Sequence, residues 1–384
     1  GIDVLYMTPI FQSNSCHKYD TTDYYQIDPS FGTTEDLKEL VQKAHERGMK
    51  VVLDAVYNHT GREFFAFADI LENGEKSKYR DWYFIDGFPL KSEWGEIPNF
   101  KCFGYYGGMP KLNLKNPEVE KYITDVACYW IKECDIDGWR LDVGDEISHF
   151  FWKNFRKAVK AVKKDMLIIG EIWHYAGDFL EGDEWDTVMN YPFYLNLIDL
   201  LADEKITVSQ FVQNLGYLKG RLHKNCYPLM WNLIDSHDTA RFLHLCNDNK
   251  KKQHLAAAFQ LLLPGMPMIY YGDEYAMPGA NDPDCRRGMY WDEEYQDKEM
   301  YEWYKRLIQV RKSHACIVEG ELAGIVTEDE EGTIVLIRKN GEETIAMIFN
   351  CSSSAKKFNE YTQKYNLLTE NTFDGNVEGF DRSE

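Results

Sequence analysis

The chain has 384 residues, 28% of them charged and 44% hydrophobic, and its 63 acidic against 43 basic side chains leave a formal charge of −20. That charge repels phosphate backbones and anionic lipid, and no apolar run reaches the roughly 18–20 residues of a membrane span, so nucleic acid and membrane are excluded as expected partners. Aromatic residues make up 15%, more than a solvated tail carries, which requires a large buried core.

In chain order, residues 3–9 form a short apolar run closed by a proline, which predicts a buried parallel strand. Residues 34–48 carry leucines and an alanine at helical spacing, with a threonine to cap the start and Gly48 to stop the helix. Residues 50–54 predict a second strand. The same order then repeats, with strands near 138–142, 167–170, 188–190, 229–235 and 268–271 separated by helices such as 118–133, 149–163, 251–262 and 297–312. Such alternation predicts an α/β fold with a parallel sheet, most simply a (β/α)8 barrel of the TIM type. Seven strands are one short of closure, so the first strand and helix are expected to precede Gly1. Residues 60–116 break the alternation with aromatic, Gly- and Pro-containing sequence and predict an inserted subdomain, which leaves 1–59 and 117–318 for the barrel. From 319 to 384, β-rich runs at 333–338 and 344–350 with Gly-Glu turns predict a small C-terminal antiparallel β domain. Nine cysteines, odd in number and without a CxxC pair, predict no disulfide framework and a reducing, cytoplasmic setting.

Four polar clusters fall at the carboxyl ends of predicted strands, the end where barrels of this kind build active sites. They are Asp54-Ala-Val-Tyr-Asn58-His59, Gly138-Trp-Arg140-Leu-Asp142, Gly170-Glu171-Ile-Trp173-His174 and Ile234-Asp-Ser-His237-Asp238. One aspartate at a strand end is ordinarily a helix cap or an ion-pair partner. Several carboxylates together cost several kcal/mol in repulsion and desolvation, which a structural role explains poorly. A metal site is one alternative, weakened by the absence of a local ligand pair such as HExxH and by the fixed charge of Arg140. A Ser236-His237-Asp238 hydrolase is another, weakened by the absence of nucleophile-elbow glycines. Glycosidic chemistry suits the set better, since one carboxylate attacks, a second gives and takes a proton, and the sugar cation needs further negative charge. Arg140 and Asp142, two apart on a strand, point to one face.

In order and residue type these clusters resemble the conserved regions of the α-amylase superfamily, glycoside hydrolase family thirteen, up to about residue 315. The resemblance implies Asp142 as nucleophile, Glu171 as general acid/base and Asp238 as transition-state stabiliser, with Arg140 orienting Asp142 and with His59 and His237 binding sugar hydroxyls. Asp54 and Asn58 look like the family's structural pair. The loop Ser15-Cys-His17-Lys-Tyr19-Asp20 is similar to the family segment in which His17 and Tyr19 would line the cleavage subsite, and Asp282-Pro-Asp-Cys-Arg286 to the Asp and Arg that hold the neighbouring sugar. Met109-Pro-Lys111-Leu-Asn113, together with Glu146, resembles the cyclomaltodextrinase, neopullulanase and maltogenic amylase group, although Gly144-Asp145 replaces that group's usual Ala-Asn. The resemblance implies a retaining hydrolase of α-1,4-glucosidic bonds in cyclodextrins and short maltodextrins, with α-1,6 cleavage and transglycosylation within its range. The alternatives are a conventional endo-acting α-amylase and a non-catalytic carbohydrate-binding homologue. No cofactor is expected for the chemistry, structural calcium is not assignable to particular residues, and a homodimer is expected of a longer form carrying the group's amino-terminal β-sandwich. Tyr19 and one or more of Trp94, Tyr105 and Tyr106 are candidate stacking surfaces for substrate.

Overall fold

In the computed structural model, which describes residues 1–91 and 97–380, the chain divides into two units. One comprises residues 2–172 and 178–188; the other comprises residue 1, residues 173–177 and residues 189–384.

The first unit is built on a five-stranded parallel sheet. Its strands β1 (Val4–Met7), β2 (Lys50–Ala55), β3 (Gly138–Leu141), β4 (Leu167–Gly170) and β5 (Thr187–Val188) pair in chain order, as successive βαβ crossovers require. Strands β2 and β3 are buried almost throughout, the pattern of a sheet covered on both faces. Their register places Asp54 beside Arg140 and Leu141 beside Gly170, which aligns the carboxyl ends that carry the polar clusters. Gly170 is required by packing, because a Cβ there would stand 2.2 Å from the ring of Trp185.

Helix α1 (Thr34–Glu46) starts at the threonine that the pattern suggests as its cap, and the cap lies one residue earlier. Thr33 caps it, its hydroxyl accepting from the Asp36 N–H while the Asp36 carboxylate accepts from the Thr33 N–H at 2.8 Å. Gly48 follows the helix at φ +72°, as expected of a stop residue. Residues 60–116 contribute a short helix, Phe65–Asn73, and a small aromatic core in which Phe67 meets Tyr83 and Phe100 at 4.9 and 5.1 Å.

In the second unit, β6 (Trp231–Asn232) and β7 (Met266–Pro267) pair in parallel, and Met189 bridges Trp231 in the same sense. The first is shorter than the run predicted at 229–235, and the second lies just before the run predicted at 268–271 rather than on it. A 3-10 turn over Tyr227–Leu229, with Pro228 in its first positions, delays β6, and the Asp235 side chain accepts from the Phe242 N–H at 2.7 Å. The run at 268–271 keeps one ladder bond, Met268 N–H to the Asn232 carbonyl, and is otherwise not strand. Instead its Tyr270 and Tyr271 rings receive the Arg241 guanidinium at 4.4 and 5.0 Å, a cation–π arrangement that turns the segment out of the sheet. The antiparallel strands β8 (Glu321–Glu328), β9 (Thr333–Asn340) and β10 (Glu343–Asn350) form a meander as predicted, with one strand more than the pattern reveals. Its Ile334, Leu336, Met347 and Phe349 share one core with Phe259, Leu262 and Leu307, and the Phe259 and Phe349 rings stack at 4.2 Å.

Candidate active site

In the first unit the strand ends converge on one guanidinium. Arg140, with no exposed surface, donates through Nη1 to Asp142 Oδ1 and to both Asp54 oxygens at 3.1 Å, and its Nη2 pairs with Glu171 Oε2 at 3.0 Å. A planar fork can serve three carboxylates in this way where an ammonium could not. Glu171 is fixed from a second side by the Val143 N–H at 2.9 Å. That bond is made by a left-handed backbone at Val143, φ +45°, an unfavourable conformation for a β-branched residue and one typical of functional sites.

Asp54 is a buried support. Beyond Arg140 it accepts from the Tyr6 hydroxyl at 2.6 Å and the Tyr19 hydroxyl at 3.0 Å. Burial pushes both phenols well above their ordinary pKa, so they stay protonated and donate. Burial also works against the charge of Arg140, but Asp54 and Glu171 more than offset it and hold the guanidinium protonated.

His59 is 1% exposed, and burial lowers its pKa to about 4, so it is a neutral imidazole at physiological pH. Its Nδ1 accepts from Asn58 Nδ2 at 3.4 Å and its Nε2 donates to the Tyr19 carbonyl at 3.1 Å. A sugar hydroxyl at Nε2 would therefore have to replace that carbonyl. His17 stacks on Tyr19 at 6.1 Å and takes the Tyr19 N–H on Nδ1 at 3.0 Å, so the two loop residues expected to face substrate form one piece. Tyr105 and Tyr106 are exposed, and Trp94 lies outside the described residues.

The second unit holds the remaining predicted residues, and two distant motifs meet there. Arg286 Nη2 pairs with Asp238 Oδ1 at 3.3 Å, its Nε pairs with Asp282 at 3.0 Å and donates to the His237 carbonyl at 2.9 Å, and His237 Nε2 lies 3.1 Å from Asp238 Oδ2. Ser236 is fully buried; its hydroxyl accepts from the Asp238 N–H and meets the Tyr191 hydroxyl, which removes it as a nucleophile. Behind this loop lies a buried Arg241–Asp273 ion pair at 3.1 Å.

Sequence reasoning missed three contributors. Tyr6 reads only as part of an apolar strand, although an aromatic two positions before Thr8 lies on the face of that strand's other inward residues. Arg241 and Asp273 are 32 positions apart and carry no local signal. Lys111 and Glu146 were visible as a subgroup pattern, but not as partners. Lys111 Nζ donates to Asn58 Oδ1 at 2.6 Å, Glu146 Oε2 at 2.7 Å and the Glu146 carbonyl at 3.1 Å. An ammonium thus occupies the oxygen cluster around Asn58. Among the described residues, no three His, Cys, Asp or Glu side chains form a group able to hold a metal ion.

The model for the catalytic domain of α-amylases matches residues 1–320. The chain belongs to the α-amylase family. This family member is 48% identical over 355 residues to a cyclomaltodextrinase of Geobacillus thermopakistaniensis, covering 92% of the present chain and 60% of that protein. It is 44% identical over 351 residues to neopullulanase 2 of Thermoactinomyces vulgaris, covering 91% and 60%. Among solved structures it is similar to the ligand-free cyclic α-maltosyl-(1→6)-maltose hydrolase of Arthrobacter globiformis, at TM-score 0.90 and 35% identity over 99% of this chain and 85% of that one. The chain spans about 60% of the length of these two curated relatives.

Proposed function

We propose that the chain carries the catalytic machinery of a retaining hydrolase acting on α-1,4-glucosidic bonds of cyclodextrins and short maltodextrins, with α-1,6 bonds and transfer to a second sugar as secondary reactions. The observation that carries this reading is the single guanidinium of Arg140 joining Asp54, Asp142 and Glu171. It orients Asp142 for attack on the anomeric carbon and tethers Glu171 to the same guanidinium. In the first step Glu171 gives a proton to the leaving oxygen while Asp142 forms the glycosyl ester. In the second, Glu171 takes a proton from water, which displaces Asp142, and Asp238 stabilises the sugar cation in both. Residues 1–59 and 117–318 would form the (β/α)8 barrel, with 60–116 inserted and 319–384 appended. The nine free cysteines suit a reducing cytoplasm.

The substrate is tested by initial rates on β-cyclodextrin and soluble starch. β-Cyclodextrin should be cleaved faster, with the α-anomer formed first by NMR; a clear preference for starch would favour the conventional α-amylase, and a β-anomer would exclude retention. The chemistry needs no metal in this reading. Excess chelator should leave both activity and melting temperature unchanged, whereas Lys111→Ala should lower stability by about 1 kcal/mol, the worth of a partly exposed ion pair. Loss of activity in chelator would point to a metal-dependent enzyme.

A further inference from the structure

In the second unit, the loop that carries His237 and Asp238 is tied at both ends to one buried aspartate. At its start, the Asp235 side chain accepts from the Phe242 N–H at 2.7 Å, which closes residues 235–242 across their base. At its end, Arg241 Nη1 pairs with Asp273 Oδ1 at 3.1 Å, and the Arg241 N–H donates to the Gly279 carbonyl at 2.9 Å. Asp273 is itself anchored, since Gln253 Nε2 donates to its backbone carbonyl at 3.0 Å. Asp235 and Asp273 are each 1% exposed, and Arg241 is fully buried.

With both carboxyls ionised, the charges do not balance. One guanidinium would face two buried carboxylates, and Glu274 adds negative charge beside Asp273. The nearby phenols of Tyr194, Tyr270 and Tyr304 are held protonated by burial and supply no cation, and Tyr271 offers Arg241 only its ring face. Yet the Asp235 and Asp273 side chains hydrogen bond to each other, which two carboxylates can do only with a proton between them. Among the described residues no donor reaches Asp235 Oδ1 or Asp273 Oδ2, so each carboxyl keeps an oxygen for that proton. Burial raises the pKa of both, and the charge of Asp235 drives Asp273 well above the ordinary carboxylate range. One proton leaves one carboxylate for one guanidinium.

We propose that Asp235 is a positioning residue that shares one proton with Asp273, and that this bond fixes the loop presenting His237 and Asp238. The consequence for catalysis rests on the role in hydrolysis given to Asp238 above; the shared proton does not.

The test compares the full chain with Asp235→Asn, whose amide can accept from Phe242 and donate to Asp273 without taking up a proton. Near neutral pH, the infrared difference between parent and variant should contain the carbonyl stretch of a protonated carboxylic acid. The folded parent keeps a proton that its unfolded chain releases above about pH 4, so the pair's stabilisation is full below that pH and is lost as pH rises towards the raised pKa. In urea unfolding between about pH 5 and 7, the unfolding constant of the parent relative to the variant should therefore rise roughly tenfold per pH unit. Absence of the infrared band, or a ratio that does not change with pH, would overturn the shared proton. On β-cyclodextrin, Asp235→Ala should lower kcat at least about tenfold with KM within about threefold, and Asp235→Asn should recover kcat to within about threefold of the parent. Equal loss in both variants, or loss in neither, would overturn the positioning role. A parent that shows the band and the pH slope but no hydrolysis would overturn the hydrolase reading and leave the proton-sharing pair standing.

Discussion

Glu171→Gln is expected to lower kcat on maltotriose by roughly 10²–10⁴-fold, the range for loss of a positioned general acid. The effect on an aryl α-maltoside with a good leaving group should be far smaller for the first step, because such a group departs with little help from a proton. The substitution keeps the shape of the site: a glutamine oxygen can still accept from the Val143 N–H and from Arg140, which now hold Oε2 at 2.9 and 3.0 Å. Steady-state and burst kinetics on the two substrates measure the difference, and equal loss on both would assign Glu171 a structural role. In a sugar-bound structure the Asp142 and Glu171 carboxyls should lie about 5–5.5 Å apart, against about 6.5–9.5 Å for an inverting pair.

Arg140→Ala is expected to cost about 3–5 kcal/mol of stability, because it strands buried carboxylates that lose their shared cation. Urea unfolding monitored by circular dichroism reads this directly, and a change below about 1 kcal/mol would show that water or protons replace the guanidinium cheaply. Arg140→Lys separates charge from geometry. It keeps one positive charge but loses the planar fork, so stability should fall much less while kcat falls by roughly 10²-fold or more, as Asp142 and Glu171 are no longer held together. If the lysine variant were as active as the parent, orientation by the fork would be unnecessary.

The alternation of apolar strands and amphipathic helices was legible along residues 1–318, and so was the placing of acidic residues at strand ends, since both depend on local periodicity. The helix Val208–Arg221 escaped notice despite the visible Thr207/Gln210 capping box, because Gly216, Gly220 and an exposed Tyr217 dilute its apolar face. The strand expected at 268–271 failed for a different reason: its tyrosines look like strand formers, but Arg241 captures their rings.

For the site itself, the chain determined which side chains are available and that Arg140 and Asp142 share a face, because alternation along a strand is a property of the backbone alone. Tertiary structure decided who meets whom. The β2–β3 register brings Asp54 to Arg140 across 86 positions, loop closure brings Tyr19 to Asp54, and Arg286 reaches Asp238 over 48. It also decided that His59 turns its Nε2 to a backbone carbonyl and that Lys111 fills the oxygen cluster at Asn58. Such pairings depend on register, loop path and the depth of burial, which set both the distances and the strength of each charge. None of these is written in the spacing of residues along one segment.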